Sequence, residues 1–85
     1  MSTQDLIDKI INTKDIQNEY RGYVGSMKKA HAITYELMDR LGIEKATERG
    51  ITTYKYGRKI HLSEFRHTKL NMLYDGDTKR ITITF

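Results

Sequence analysis

The spacing of the apolar residues changes at Gly42, and this change restricts the folds open to the chain. Before Gly42, apolar residues recur three and four positions apart, which is the period of a helix. After it, they alternate with polar residues, which is the period of a half-buried strand. The sequence therefore predicts an α+β fold in which two N-terminal helices pack on a three- or four-stranded antiparallel sheet, in one domain over residues 1–85.

The first helix is predicted over about residues 3–20. Ser2 or Thr3 can cap its N-terminus, and Asp5 stands in the capping-box position relative to Ser2. The apolar side consists of Leu6, Ile7, Ile10 and Ile11.

The sequence leaves two possible C-terminal ends for this helix. Asn12 and Thr13 weaken the pattern and can end it, whereas Ile16 and Tyr20 can continue the same apolar stripe. The following stretch YRGYVGS contains two glycines and is typical of a connecting loop.

The second helix is predicted over about residues 26–41. Ser26 is a suitable N-cap, and Gly42 stands where a helix usually stops. Ile43 can contact Met38, as expected after such a glycine. The apolar side consists of Met27, Ala30, Ile33, Leu37, Met38 and Leu41.

The strands are predicted within residues 51–85, while residues 43–50 fit either a short strand or a helical turn. Gly57 can turn the chain between two strands, and DGDT at residues 75–78 is a strong hairpin signal. A four-residue loop there places Met72 opposite Ile81 and so avoids pairing apolar residues with charges.

Alternation predicts two faces for this sheet. The face toward the helices is expected to hold Ile60, Leu62, Leu70, Met72, Ile81 and Ile83. The polar face is expected to hold Lys59, His61, Lys69, Asn71, Arg80, Thr82 and Thr84.

Positive charge is concentrated in the second half of the chain. Residues 1–43 carry six Lys/Arg and six Asp/Glu, whereas residues 44–85 carry nine and five, which accounts for the net charge of +4. Such an excess favours an anionic partner.

Nucleic-acid binding is the leading functional prediction, with RNA or another single strand as the partner. Lysine and arginine neutralise phosphates, and exposed tyrosine or Phe65 rings offer faces on which bases stack. The alternative is that the cations merely solvate an antiparallel sheet and the tyrosines belong to the core. The candidate residues are Lys55, Arg58, Lys59, His61, Arg66, His67, Lys69, Arg80, Tyr54 and Tyr56.

Catalysis, cofactors and metals are not expected. In HLSEFRH, His61 and Glu64 point to opposite faces of a strand, which suits a metal site poorly. Two histidines and a lysine can cleave RNA by acid–base chemistry, but nothing in the sequence sets their geometry. No phosphate-binding glycine motif is present.

The composition bears on compartment and partners. Without cysteine, a basic leader or a long apolar run, the chain is expected in a reducing cytoplasm and not in a membrane. The second functional hypothesis is an inhibitor or adaptor that contacts only protein, through its helices or as a homodimer, because four methionines suit adaptable surfaces.

In size, in lacking cysteine and proline, and in its helix–helix–sheet plan, the chain resembles the small early proteins of tailed bacteriophages. Some of these inhibit host defences, including toxin–antitoxin ribonucleases. The resemblance implies counter-defence by binding in the cytoplasm of an infected bacterium, where RNA could bridge the protein to a ribonuclease. The resemblance does not identify any functional residue in this sequence.

Overall fold

A computed structural model of the chain describes residues 3–85 and shows two helices on one face of a five-stranded antiparallel sheet, with strand order β1-β5-β4-β3-β2. The elements are α1 (Thr3–Lys14), β1 (Glu19–Tyr23), α2 (Met27–Arg40), β2 (Thr47–Lys55), β3 (Arg58–Arg66), β4 (Asn71–Asp75) and β5 (Arg80–Thr84). The α+β prediction is confirmed. The sheet has five strands where three or four were predicted.

Helix α2 agrees closely with its prediction. The Ser26 side chain accepts a hydrogen bond from the Lys29 N–H at 3.2 Å, which caps the first turn. Gly42 adopts a φ of 73°, and the Ile43 N–H donates to the Met38 carbonyl at 2.8 Å, as in a Schellman ending.

Helix α1 is shorter than predicted. It ends at Lys14, and Ile16 is 82% exposed, so the apolar stripe does not continue beyond it. The proposed cap at Ser2 lies outside the described residues. The helix turns Leu6, Ile7 and Ile10 into the core.

Strand β1 replaces the loop that was predicted from the two glycines. It pairs with β5 along its whole length, with Tyr20 opposite Ile83 and Gly22 opposite Ile81. The Tyr20 ring covers Gly22 closely enough to occupy the place of a side chain there. A strand can keep this glycine because a neighbouring aromatic ring supplies the packing that it lacks.

The hairpin between β4 and β5 has a four-residue loop, but its register differs from the prediction. Met72 pairs with Ile83, not Ile81, and Tyr74 pairs with Ile81. Asp75 belongs to the strand, opposite Arg80, and closes the turn: its carboxylate accepts from the Asp77 N–H at 2.8 Å and its carbonyl accepts from the Lys79 N–H at 2.8 Å. The shift keeps the predicted apolar residues on the helix side.

The two faces of β3 are the reverse of the prediction. Ser63 and Phe65 point toward the helices, whereas Ile60 and Leu62 lie on the opposite face. Ile60 is still buried, beside the β4–β5 turn near Asp77 and outside the main core. The reversal arises because the phase of this strand is set by packing Phe65 beneath α2 and not by Ile60 and Leu62.

The β2–β3 hairpin reaches beyond the rest of the sheet. Its strands pair over nine residues each, but β4 contacts only the Leu62–Arg66 part of β3. Residues 52–61 therefore form a projecting arm, and the molecule is 40 Å in its longest dimension. The arm turns at Tyr56 and Gly57, whose φ angles of 53° and 74° are those of a type I′ turn.

Candidate nucleic-acid interface

The sheet face away from the helices, called here the outer face, collects most of the arginines of the basic half. Directly opposed residues in an antiparallel sheet share a face, so the register defines its rows. One row runs Arg21, Thr82, Leu73, Glu64 and Arg49 across all five strands. The next contains Glu19, Thr84, Asn71, Arg66 and Thr47.

A shallow groove of about 470 Å³ lies between these rows. Arg49 and Arg66 stand at its β2–β3 end as diagonal neighbours, an arrangement in which long side chains can reach each other. Its lining includes Leu73, Asn71, Thr82 and Thr84. The groove thus combines two guanidinium groups with neutral hydrogen-bonding side chains.

Electrostatic balance within this groove favours an anion. Glu64 is the acid that lines it, and its carboxylate lies 3.6 Å from the Arg66 Nε. Arg49 has no ion-pair partner among residues 3–85, although it stands opposite Glu64 in the ladder. Both arginines are exposed, so phosphates could reach them without breaking a buried ion pair.

The arm is braced from His61 to its tip by the β4–β5 turn. The Gly76 N–H donates to the His61 carbonyl at 3.0 Å. The Asp77 carboxylate lies 2.6 Å from the Arg58 Nη2 and 3.5 Å from the Lys55 Nζ. These contacts hold the two cations on the outer face and offset part of their charge.

The structure divides the predicted site residues among four places. Lys55, Arg58, Arg66 and Arg80 lie on the outer face, whereas Tyr54, Lys59 and His61 lie on the helix side of the arm, Tyr56 lies in its turn, and His67 and Lys69 lie in the β3–β4 turn. The predicted grouping of Lys59 and His61 with Arg80 on one face is therefore wrong. The cause is the reversed phase of β3.

The aromatic residues also separate. Phe65 is 1% exposed in the core, so it has no free face for a base. Tyr54 and Tyr56 are 71% and 92% exposed, but neither lies on the outer face. Tyr23, directly opposite Arg80, is the exposed ring on that face. Sequence reasoning missed Tyr23, Arg21 and Arg49 because β1 and the start of β2 were not recognised as strands.

A second polar cluster, unforeseen from sequence, lies on the helix side. The His31 Nε2 is 2.7 Å from the buried Ser63 hydroxyl, and the His31 ring packs edge-on against Phe65. The Glu48 carboxylate is 3.9 Å from the His31 Nδ1, too long for a hydrogen bond. The hydrogen bond with His31 satisfies the buried hydroxyl of Ser63.

Glu48 also accepts a hydrogen bond of 3.2 Å from the Tyr35 hydroxyl. The pKa of Tyr35 is raised, first because its phenolate would be desolvated and then because Glu48 carries charge beside it. The phenol therefore stays a neutral donor. These contacts attach the edge strand β2 to α2.

Within residues 3–85, no group of three or more histidine, aspartate or glutamate side chains is placed to hold a metal. His61 and Glu64 point to opposite faces of β3, as alternation predicts. His61 instead contacts the Thr52 hydroxyl at 3.3 Å, and His67 accepts from the Lys69 N–H at 3.0 Å.

Comparison with protein-family models, with curated proteins and with solved structures gave no significant match. None of the helices in the described part of the chain is long and apolar enough to span a membrane.

Proposed function

We propose that the protein is a non-enzymatic binding protein that holds RNA or another single-stranded nucleic acid across its outer face. The observation that carries the proposal is the groove with Arg49 and Arg66 at one end, on a sheet face that neither helix of residues 3–85 covers. An open sheet presenting cations and hydrogen-bonding side chains suits a flexible strand better than it suits a duplex groove.

The roles follow from position. Arg49 and Arg66 would bind phosphates at one end of the groove, while Arg21 and Arg80 would do so on the far strands. Four strand spacings separate Arg49 from Arg21, or about 19 Å, enough for several nucleotides. Asn71, Thr82 and Thr84 would contact sugars or base edges, and Tyr23 offers a stacking face.

A salt series tests the proposal directly. Binding of a labelled single-stranded RNA is measured by fluorescence anisotropy from low to physiological salt. Affinity should fall with rising salt, because bound cations release counterions from the phosphates. The variant Arg49→Gln with Arg66→Gln should bind about tenfold more weakly and show a shallower salt slope.

The matched control is Lys28→Gln with Lys29→Gln, which removes the same charge from α2 on the opposite side of the molecule. It should change the affinity by less than about twofold. Equal losses of affinity in the two variants would mean that binding depends on the net charge of the protein and not on the outer face. Absence of binding at low salt would reject the proposal and favour the alternative of an adaptor that contacts only protein.

A further inference from the structure

Strand β2 is a long sheet edge that has no neighbour on one side among residues 3–85. It has nine residues, and all of them except the half-buried Ile51 are exposed. Proteins usually protect such an edge by shortening it, covering it, or placing proline or charged residues in it. The charges of β2 lie toward its ends, at Glu48, Arg49 and Lys55, and residues 50–54 between them are uncharged. This chain has no proline. The other edge, β1, has only five residues.

The backbone groups that face this open edge can be identified. The His61 carbonyl accepts from Gly76, so the main chain of His61 faces β4 and that of its neighbours Ile60 and Leu62 faces β2. Successive residues of a strand direct their N–H and C=O groups to opposite sides. The residues of β2 whose groups face solvent are therefore Glu48, Gly50, Thr52 and Tyr54.

We propose that β2 pairs with β2 of a second copy of this chain, antiparallel about a two-fold axis at Ile51, to form a continuous ten-stranded sheet. This register sets Glu48 opposite Tyr54 of the second copy and Gly50 opposite Thr52. All four edge-facing residues of each strand are then paired, in about eight hydrogen bonds. The two Ile51 side chains meet on the axis in a closely spaced pair.

Neighbouring symmetric registers are worse. Centring the axis on Thr52 sets Arg49 opposite Lys55 of the second copy, which places like charges together. Centring it on Gly50 leaves Tyr54 without a partner inside the strand. Either change reduces the backbone pairing to about six hydrogen bonds.

The same register brings the tip of each arm to a groove on the other copy. Residue 56 falls opposite Ala46, and a groove of about 710 Å³ lies there, lined by Tyr35, Met38, Ile43, Ala46 and Phe65. The exposed Tyr54 and Tyr56 rings would fill this partly apolar surface. Burial of aromatic rings of this kind commonly dominates the energy of an interface.

Charge is complementary at this contact. The groove is bordered by Asp39, Glu44 and Glu48, with Lys45 among them, and by the C-terminal end of α2. On the same side, the arm carries Lys59, directly opposite Tyr54. Cations are favoured near a helix C-terminus, so the arm and the groove attract each other. The proposal does not depend on nucleic-acid binding, because the outer face stays open.

Cross-linking tests both the dimer and its register, since the chain has no cysteine of its own. Ile51→Cys places two sulfurs on the axis within disulfide reach and should give a covalent dimer on mild oxidation. Thr53→Cys lies on the same face of β2 but is opposite residue 49, so it should remain uncross-linked. Cross-linking of Thr53→Cys as fast as Ile51→Cys would overturn the register.

Sedimentation of the unmodified full chain gives the second readout. It should be a dimer at about 100 µM, and a monomer at that concentration would overturn the proposal whatever else binds the edge. Tyr56→Asn should weaken dimerisation roughly tenfold, because it removes an anchoring ring. Asparagine suits the type I′ turn better than tyrosine, so this variant should fold at least as stably. Unchanged dimerisation in Tyr56→Asn would exclude the groove from the interface.

Discussion

Tyr56 adopts a left-handed backbone conformation, with φ at 53°, while its ring is 92% exposed. Holding a residue other than glycine there costs about 1–2 kcal/mol, and asparagine or glycine usually occupies this position of a type I′ turn. Within its own chain the ring contacts the Lys55 Nζ, which lies 5.8 Å from the ring centroid. In the proposed dimer, the partner surface would bury the remainder of this ring and offset the backbone strain.

At the same scale, His31 and Ser63 should prove energetically coupled. Ser63 is buried, and His31 supplies its side-chain partner at 2.7 Å. His31→Ala should lower the free energy of unfolding by about 1–3 kcal/mol, because it leaves the hydroxyl unsatisfied and removes the ring contact with Phe65.

The double variant with Ser63→Ala should recover about 1 kcal/mol relative to the sum of the single changes, as measured by urea unfolding. Strict additivity would mean that the hydrogen bond contributes nothing. Ser63→Ala alone is the control, because the half-buried His31 can turn its nitrogen to water.

Among the elements, the arm depends most on a contact far from it in sequence. Only the β3 residues from Leu62 onward pair with β4, so residues 52–61 gain little from the core. The β4–β5 turn contacts the arm instead: the Gly76 N–H donates to the His61 carbonyl, and the Asp77 carboxylate forms ion pairs with Lys55 and Arg58. The position of this hairpin therefore depends both on its own turn and on the β4–β5 turn.

Gly76→Ala should loosen the arm. A Cβ at this position would overlap the carbonyl oxygen of His61, which is backbone and cannot move away cheaply. We expect a loss of about 1–3 kcal/mol in stability and faster amide hydrogen exchange in the arm. Gly50→Ala is the matched control, since its Cβ would meet nothing within 4 Å. Equal exchange in the two variants would contradict the bracing role.

For the whole molecule, the distribution of charge matters more than its sum. The helix layer carries the Arg40–Asp8 pair at 2.9 Å and the Arg40–Glu36 pair at 3.5 Å, which balance locally. The outer face and the arm carry the excess, although Glu19 pairs with Arg21 at 2.7 Å and Asp77 restrains Lys55 and Arg58. The field is therefore directional although the net charge is only +4.

Asp77→Asn should strengthen nucleic-acid binding. It frees Lys55 and Arg58 to contact phosphates and should raise the affinity at low salt by about threefold, with a steeper salt dependence. Stability should change by less than about 1 kcal/mol, because the ion pairs involve exposed cations. Asp39→Asn makes the same charge change in the last turn of α2 and should leave the affinity nearly unchanged. The reverse ranking of these two variants would place the binding face on the helix side.

Local signals predicted α2 and two of the turns well. Ser26 and Gly42 bound the second helix as their capping chemistry requires, Gly57 turns the chain where expected, and the turn at DGDT begins one residue later than predicted. The candidate site was predicted less well. Its cations were named in part, but Arg49 and Arg21 were missed, and Lys59 and His61 were placed on the wrong face.

The sequence by itself determined the class of fold, the second helix and the location of excess charge, because caps, glycines and apolar periods act over a few residues. Only the tertiary structure decided that residues 19–23 form a strand, since their partner lies in β5, about 60 positions away. It also decided which face of β3 meets the helices. Alternation offers two phases, and the choice depends on packing Phe65 beneath α2 with Ser63 bonded to His31.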